Sequence, residues 1–155
     1  MRLVLLLALL FVTGCRSTPT AEDLAAEVRS FYGPAGVAVL SAPDRAETWS
    51  ISSSRWDRPA AAAPATRPAE VDPAAARELA AALLDAGNFD FFTAKGCIFR
   101  PDVGFRFYRA GRSVEVRFCF TCGDVSVKSP DGGGLFDFGP GEARIKSLVD
   151  RARAR

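Results

Sequence analysis

Every position from Leu3 to Val12 is apolar, and no second hydrophobic run of this kind occurs in the chain. The remaining hydrophobic positions fall into short periodic stretches. Leu24, Val28 and Phe31 recur at helical spacing behind Thr20, an N-cap with Asp23 three residues on in the manner of a capping box. Gly33-Pro34 stops this helix. Val37–Leu40 and Thr48–Ile51 then read as two short strands. Asp72-Pro73 opens a second helix with Asp at the N-cap and Pro at the first helical position. Its apolar stripe is Ala76, Leu79, Ala80 and Leu83, and Gly87 ends it.

The stretch from Gly104 to Phe120 is the most legible. Phe105 and Phe107 alternate with Arg106 and Tyr108, Ala110-Gly111 turns, and Val114, Val116, Phe118 and Phe120 alternate with Glu115, Arg117 and Cys119. That is a β-hairpin with one apolar face. A two-residue turn sets Phe107 opposite Val114, Phe105 opposite Val116 and Arg106 opposite Glu115. The arginines could form an anion-binding stripe, but the Arg106–Glu115 pairing favours a solvated face neutralised across the strands. Val125 and Val127 mark another strand, Ser129–Gly134 a turn, and Leu135–Phe138 the returning strand. The triple glycine lacks the Gly-Lys-Ser/Thr of a phosphate loop. Pro140 and Glu142 start a final helix with Ile145, Leu148 and Val149 facing inward. Arg151, Arg153 and Arg155 complement its C-terminal dipole. The predicted order is αββαββββα, an α+β domain with an antiparallel sheet packed by helices.

The apolar run at the start has a different meaning. Ten residues are too few for a spanning helix, which needs about 20, and they follow the positive Met1-Arg2. This is the layout of a cleavable signal peptide. The run ends in Val12-Thr13-Gly14-Cys15, which resembles the lipobox of bacterial lipoproteins. The resemblance implies cleavage before Cys15 and lipid on that cysteine: a diacylglyceryl group and an N-linked acyl chain such as palmitate. More than one chain gives stable anchoring. Arg16 at the next position favours the outer membrane in a Gram-negative envelope.

The chain thus divides into a signal peptide at 1–14, a lipidated cysteine with a short tether at 15–19, and one domain at 20–155. Within the domain, residues 59–73 carry prolines at 59, 64, 68 and 73 among alanines, which suits an extended surface loop. Removing fourteen of 155 residues leaves 141, enough for one modest core. Losing Arg2 takes the formal charge from +2 to +1. Near-neutrality and export argue against a nucleic-acid partner. The expected partner is the membrane itself, through Cys15, with an envelope protein of undefined identity beside it.

The chain has no histidine, which excludes imidazole-based triads and zinc sites built on imidazole. Lys95, Lys128 and Lys146 stand in no Ser-x-x-Lys motif. No catalytic constellation and no cofactor is expected. Chemistry is left to Cys97, Cys119 and Cys122. In an oxidising compartment, three cysteines allow one internal disulfide and one leftover thiol. Extending the hairpin register sets Cys97 opposite Asp124 and diagonal to Cys122 on the same face. Cys119 points to the other face, near Asp102. Cys97–Cys122 is therefore the first choice, and Cys97–Cys119 the next if Pro101 breaks the register.

Two sharper alternatives use the same residues. Cys97, Cys119 and Cys122 could hold a metal with Asp124 or Asp102 as fourth ligand. Cys119-Phe-Thr-Cys122 could act in thiol–disulfide exchange, although it ends a strand rather than opening a helix. Finally, Cys97, Phe99, Pro101, Arg106, Phe107, Cys119, Phe120 and Cys122 resemble the core of a group of uncharacterised bacterial lipoproteins and secreted proteins. In that group the core is followed by a Gly-rich turn and a terminal helix, and the similarity covers roughly residues 72–150. It implies that the three cysteines belong together structurally, and it carries no activity with it. The expected role is a membrane-anchored structural or interaction module. A thiol-redox or metal-binding lipoprotein is the alternative.

Overall fold

The structure, a computed structural model, describes residues 21–52, 64–91 and 95–154. The signal segment, Cys15, Thr20, the 59–63 part of the proline-rich loop and Arg155 lie outside these residues.

Helix α1 (Ala21–Ser41) is two helices joined at a kink. Gly33 breaks the first with φ 65° and ψ 167°, and Pro34 begins the second. Proline suits that position because its missing N–H has no helical partner to lose. The second segment is capped from far away: the Ala35 N–H donates to Asp131 Oδ2 at 2.7 Å. A Cβ on Gly33 would lie 2.6 Å from Asp131 Cβ, so close approach as well as the positive φ requires glycine. Gly33-Pro34 thus interrupts the helix as expected, but Val37–Leu40 continue as helix instead of forming a strand. A short apolar run has no periodicity that separates the two. The deciding cap sits ninety-six residues away.

Strand β1 (Arg45–Ser50) includes most of the expected Thr48–Ile51 segment, and Ile51 forms a bridge with Pro64. Strand β2 (Ala69–Glu70) arises inside the proline- and alanine-rich stretch, pairing with Glu47 and Thr48 of β1. The order αββαββββα is therefore observed: the strand expected over 37–40 is helix, and β2, inside the stretch expected as a loop, makes up the count.

Helix α2 (Pro73–Leu84) starts as predicted, with Asp72 Oδ1 accepting from the N–H groups of Ala74 and Ala75. Ala76, Leu79, Ala80 and Leu83 are all buried. The helix stops three residues before Gly87, in a short 3₁₀ turn at Ala86–Asn88. There the Asn88 side-chain amide donates to the Ala82 carbonyl at 2.8 Å, satisfying a terminal acceptor.

Strands β3 (Val103–Arg109) and β4 (Arg112–Cys119) form the predicted hairpin with Phe105 opposite Val116, Arg106 opposite Glu115 and Phe107 opposite Val114. Its turn places Ala110 at φ 48° and Gly111 at φ 76°. Positive φ at both central residues matches the twist of the flanking strands. Strands β5 (Asp124–Lys128) and β6 (Gly133–Asp137) extend the sheet, which is antiparallel throughout in the order β2-β1-β3-β4-β5-β6. One face buries Phe105, Phe107, Val114, Val116, Phe118, Val125 and Val127 in a core shared with the helices. The last helix, α3 (Glu142–Arg153), contributes Ile145, Leu148 and Val149 to it.

The opposite face of the sheet carries the charges. Arg106 and Arg117 both bind Glu115, at 2.5 and 2.7 Å, so the cross-strand neutralisation expected for Arg106 is present. Tyr108 donates to Glu47 at 2.7 Å, and Arg45 stacks on the Tyr108 ring. Trp49 packs closely against Gly104, where any Cβ would stand 2.3 Å from the indole. One end of this polar face is occupied by something else.

Candidate functional site

The site begins from strand alternation. Cys119 ends β4, Asp124 begins β5 opposite it, and Asp137 ends β6 opposite Asp124. Directly opposed residues share a face, so these three form a row on the side away from the core. Residues Lys95–Pro101, which form no regular element, are tied to that row as a strap. At one end Lys95 Nζ binds Asp137 Oδ1 at 2.7 Å and the Cys122 carbonyl at 3.1 Å. In the middle Phe99 is buried and the Arg100 N–H donates to Cys119 Sγ at 3.4 Å. At the other end Asp102 joins the sheet: its N–H donates to the Phe118 carbonyl, and its Oδ2 accepts from the Phe120 N–H at 3.0 Å.

A disulfide fastens the strap. Cys97 and Cys122 are bonded sulfur to sulfur at 2.01 Å, with Cα atoms 6.0 Å apart. Cys119 is the free cysteine among the described residues and is fully buried. The route to this pairing differs from the register extension. Residues 95–100 are not in a strand, the β3–β4 ladder starts at Val103, and Asp124 faces Cys119 and Asp137, not Cys97. Pro101, without an N–H to give to a ladder, stands where the pairing ends. The chain instead crosses the sheet and meets Cys122 in the β4–β5 turn.

That turn is closed by the N–H groups of Cys122 and Gly123, both donating to the Cys119 carbonyl, at 3.3 and 2.9 Å. Gly123 adopts φ 69°, and a Cβ there would lie 2.9 Å from Lys95 Nζ. Asp137 Oδ1 also accepts from the Gly139 N–H at 2.6 Å. Lys95 and Asp137 are thus a partly buried ion pair with added backbone hydrogen bonds, the condition under which such a pair holds its geometry. The hydrogen bond to Asp137 holds the Lys95 ammonium above its ordinary range. Burial pushes the Asp124 carboxyl up, an effect that nearby Lys95 opposes and Asp137 reinforces.

The structure therefore brings Cys97, Cys119, Cys122, Asp102 and Asp124 to one end of one face. With two sulfurs bonded to each other, one thiol is left for any metal, and among the described residues no group of three or more cysteines and carboxylates is arranged to hold an ion. Sequence reasoning missed Lys95 and Asp137. Neither stands in a motif, and a separation of 42 positions leaves only the fold to bring them together. On the strap, Ile98 is 65% exposed; with Leu135 at 52% it makes up the exposed large hydrophobics among the described residues. No helix among the described residues is long and apolar enough to cross a membrane. No protein-family model, curated protein or solved structure matches the chain.

Proposed function

We propose that the chain is a lipid-anchored protein of the bacterial envelope whose α+β domain serves as a non-catalytic interaction or structural module. The observation that carries the anchor is Val12-Thr13-Gly14-Cys15 directly behind ten apolar residues and a positive start. The tether to residue 19 is short, so the domain stands close to the bilayer, and Arg16 points to the outer membrane of a Gram-negative host. The resemblance to lipoproteins that share a Cys97 … Cys119-Phe-x-Cys122 core belongs to the same reading. The module role is supported by the strap. A disulfide and an ion pair hold it, and it presents Ile98 to solvent. A rigidly held, exposed apolar side chain loses little freedom on docking.

Metabolic labelling with a palmitate analogue tests the anchor. The wild-type chain takes up label, and an inhibitor of the lipoprotein signal peptidase makes its precursor accumulate. Equal labelling of Cys15→Ser overturns the assignment. A photo-reactive residue at position 98 of the lipidated protein tests the module. A discrete envelope-protein adduct, competed away by excess unmodified protein, is expected; no saturable adduct overturns it.

A further inference from the structure

Cys119 and Cys122 are linked by geometry as well as by spacing. A turn closed by an i→i+3 hydrogen bond keeps its end Cα atoms within about 7 Å, and the Cys122 N–H makes that bond to the Cys119 carbonyl. Disulfides join Cα atoms about 4.4–6.8 Å apart. Both sulfurs also touch the same short piece of the strap. Cys119 Sγ accepts from the Arg100 N–H, and Cys122 Sγ lies 3.3 Å from the Ile98 carbonyl oxygen. The free thiol is buried beside the strap, while Cys97 on the strap is exposed.

We propose that the disulfide exchanges within the protein, from Cys97–Cys122 to Cys119–Cys122. Cys119, as thiolate, attacks Cys122 Sγ; the Cys119–Cys122 bond forms and the Cys97–Cys122 bond breaks. Cys97 leaves as thiolate and takes up the proton that Cys119 gave to solvent. Among Cys97, Cys119 and Cys122 one disulfide and one thiol exist before and after, so no oxidant or reductant is consumed. The staple moves from the strap into the turn, and a buried thiol is traded for an exposed one beside Ile98. The surface then offers a nucleophile for exchange with a disulfide on another molecule. Cys97–Cys122 is the resting form: it is the bond the structure holds, and it fastens the strap on which Phe99 is buried. This step goes beyond the module reading and does not require the lipid anchor.

Trypsin resolves the two forms, because Cys97 lies in the 96–106 peptide and both other cysteines lie in 118–128. The oxidised full-length protein is alkylated with iodoacetamide under native conditions, quenched over time and digested without reduction. In the resting form the two peptides are cross-linked. Exchange yields a free 96–106 peptide labelled at Cys97, and a 118–128 peptide with an internal bond and no label. That pair is expected to accumulate with time in the wild type and to be absent from Cys119→Ser. Label confined to Cys119 on cross-linked peptides, or no label before denaturation, overturns the proposal. Cys97→Ser gives a second reading: treated with diamide, it should lose two hydrogens as Cys119–Cys122 forms. If it remains a dithiol, the turn does not allow the bond and the proposal fails.

Discussion

The Cys97–Cys122 staple should be the largest single covalent contribution to the stability of this domain, and its size follows from its position. The bond spans 25 residues, for which the loop-entropy relation gives about 3.5 kcal/mol at 25 °C. Replacing both residues by alanine removes that constraint, while the Lys95–Asp137 ion pair and the Asp102 hydrogen bonds still hold the ends of the strap. The loss therefore stays near the loop value and does not include exposure of all the strap covers. For a domain of this size it corresponds to a fall in Tm of about 10 °C. Thermal unfolding by circular dichroism, with urea titration as a second route, reads it. Wild-type protein held in reductant should fall to the level of the double variant, and the double variant should not respond to reductant. Cys119→Ala keeps the staple, so its loss is confined to one buried thiol, about 1 kcal/mol. If Cys119→Ala fell as far as the double variant and lost its response to reductant, the staple would run through Cys119 and the reasoning would be refuted.

Two further outcomes follow from groups in the core and on the outer face. The Tyr32 hydroxyl is buried with no hydrogen-bond partner among the described residues, and burial pushes the phenol far above its usual range. Tyr32→Phe should therefore be neutral or raise stability by about 1 kcal/mol in urea titration, and a clear loss would show that the hydroxyl has a partner. Glu115 is partly desolvated, which raises its pKa, but hydrogen bonds from Arg106 and Arg117 prevail and hold the carboxyl below the usual range. A depressed carboxyl stabilises the fold above its unfolded pKa and loses that effect as pH falls through the folded value. Glu115→Gln should thus cost up to about 1 kcal/mol at pH 7, as half-exposed pairs do, with the difference shrinking below about pH 4; a difference that grows in acid would reverse the assignment.

Much of the sheet can be read from the chain because its information is local. The β3–β4 hairpin has strict alternation and a turn of Ala110-Gly111, so its register follows from counting. The Asp72-Pro73 start of α2 and the inward stripe of α3 are likewise set by neighbouring residues. The segments that escaped are those decided at a distance. Val37–Leu40 are helical because Asp131 caps that segment, and β2 exists because β1 offers Glu47 and Thr48 for pairing. At the site, the three cysteines could be singled out by type, whereas the strap could not. Its course depends on where Pro101 ends the ladder, and on Lys95 finding Asp137 across the β4–β5 turn.

The kink in α1 also bears on the order of events during synthesis. Its second half draws its cap from Asp131, and Ser129 Oγ donates to the Tyr32 carbonyl just before the break. Both partners lie in the β5–β6 connection, near the end of the chain. A polypeptide emerging N-terminus first can therefore begin its first helix early but cannot complete it until nearly all of the sheet has appeared. Contacts of such long sequence separation slow folding. The first helix made is one of the last pieces to be locked in place.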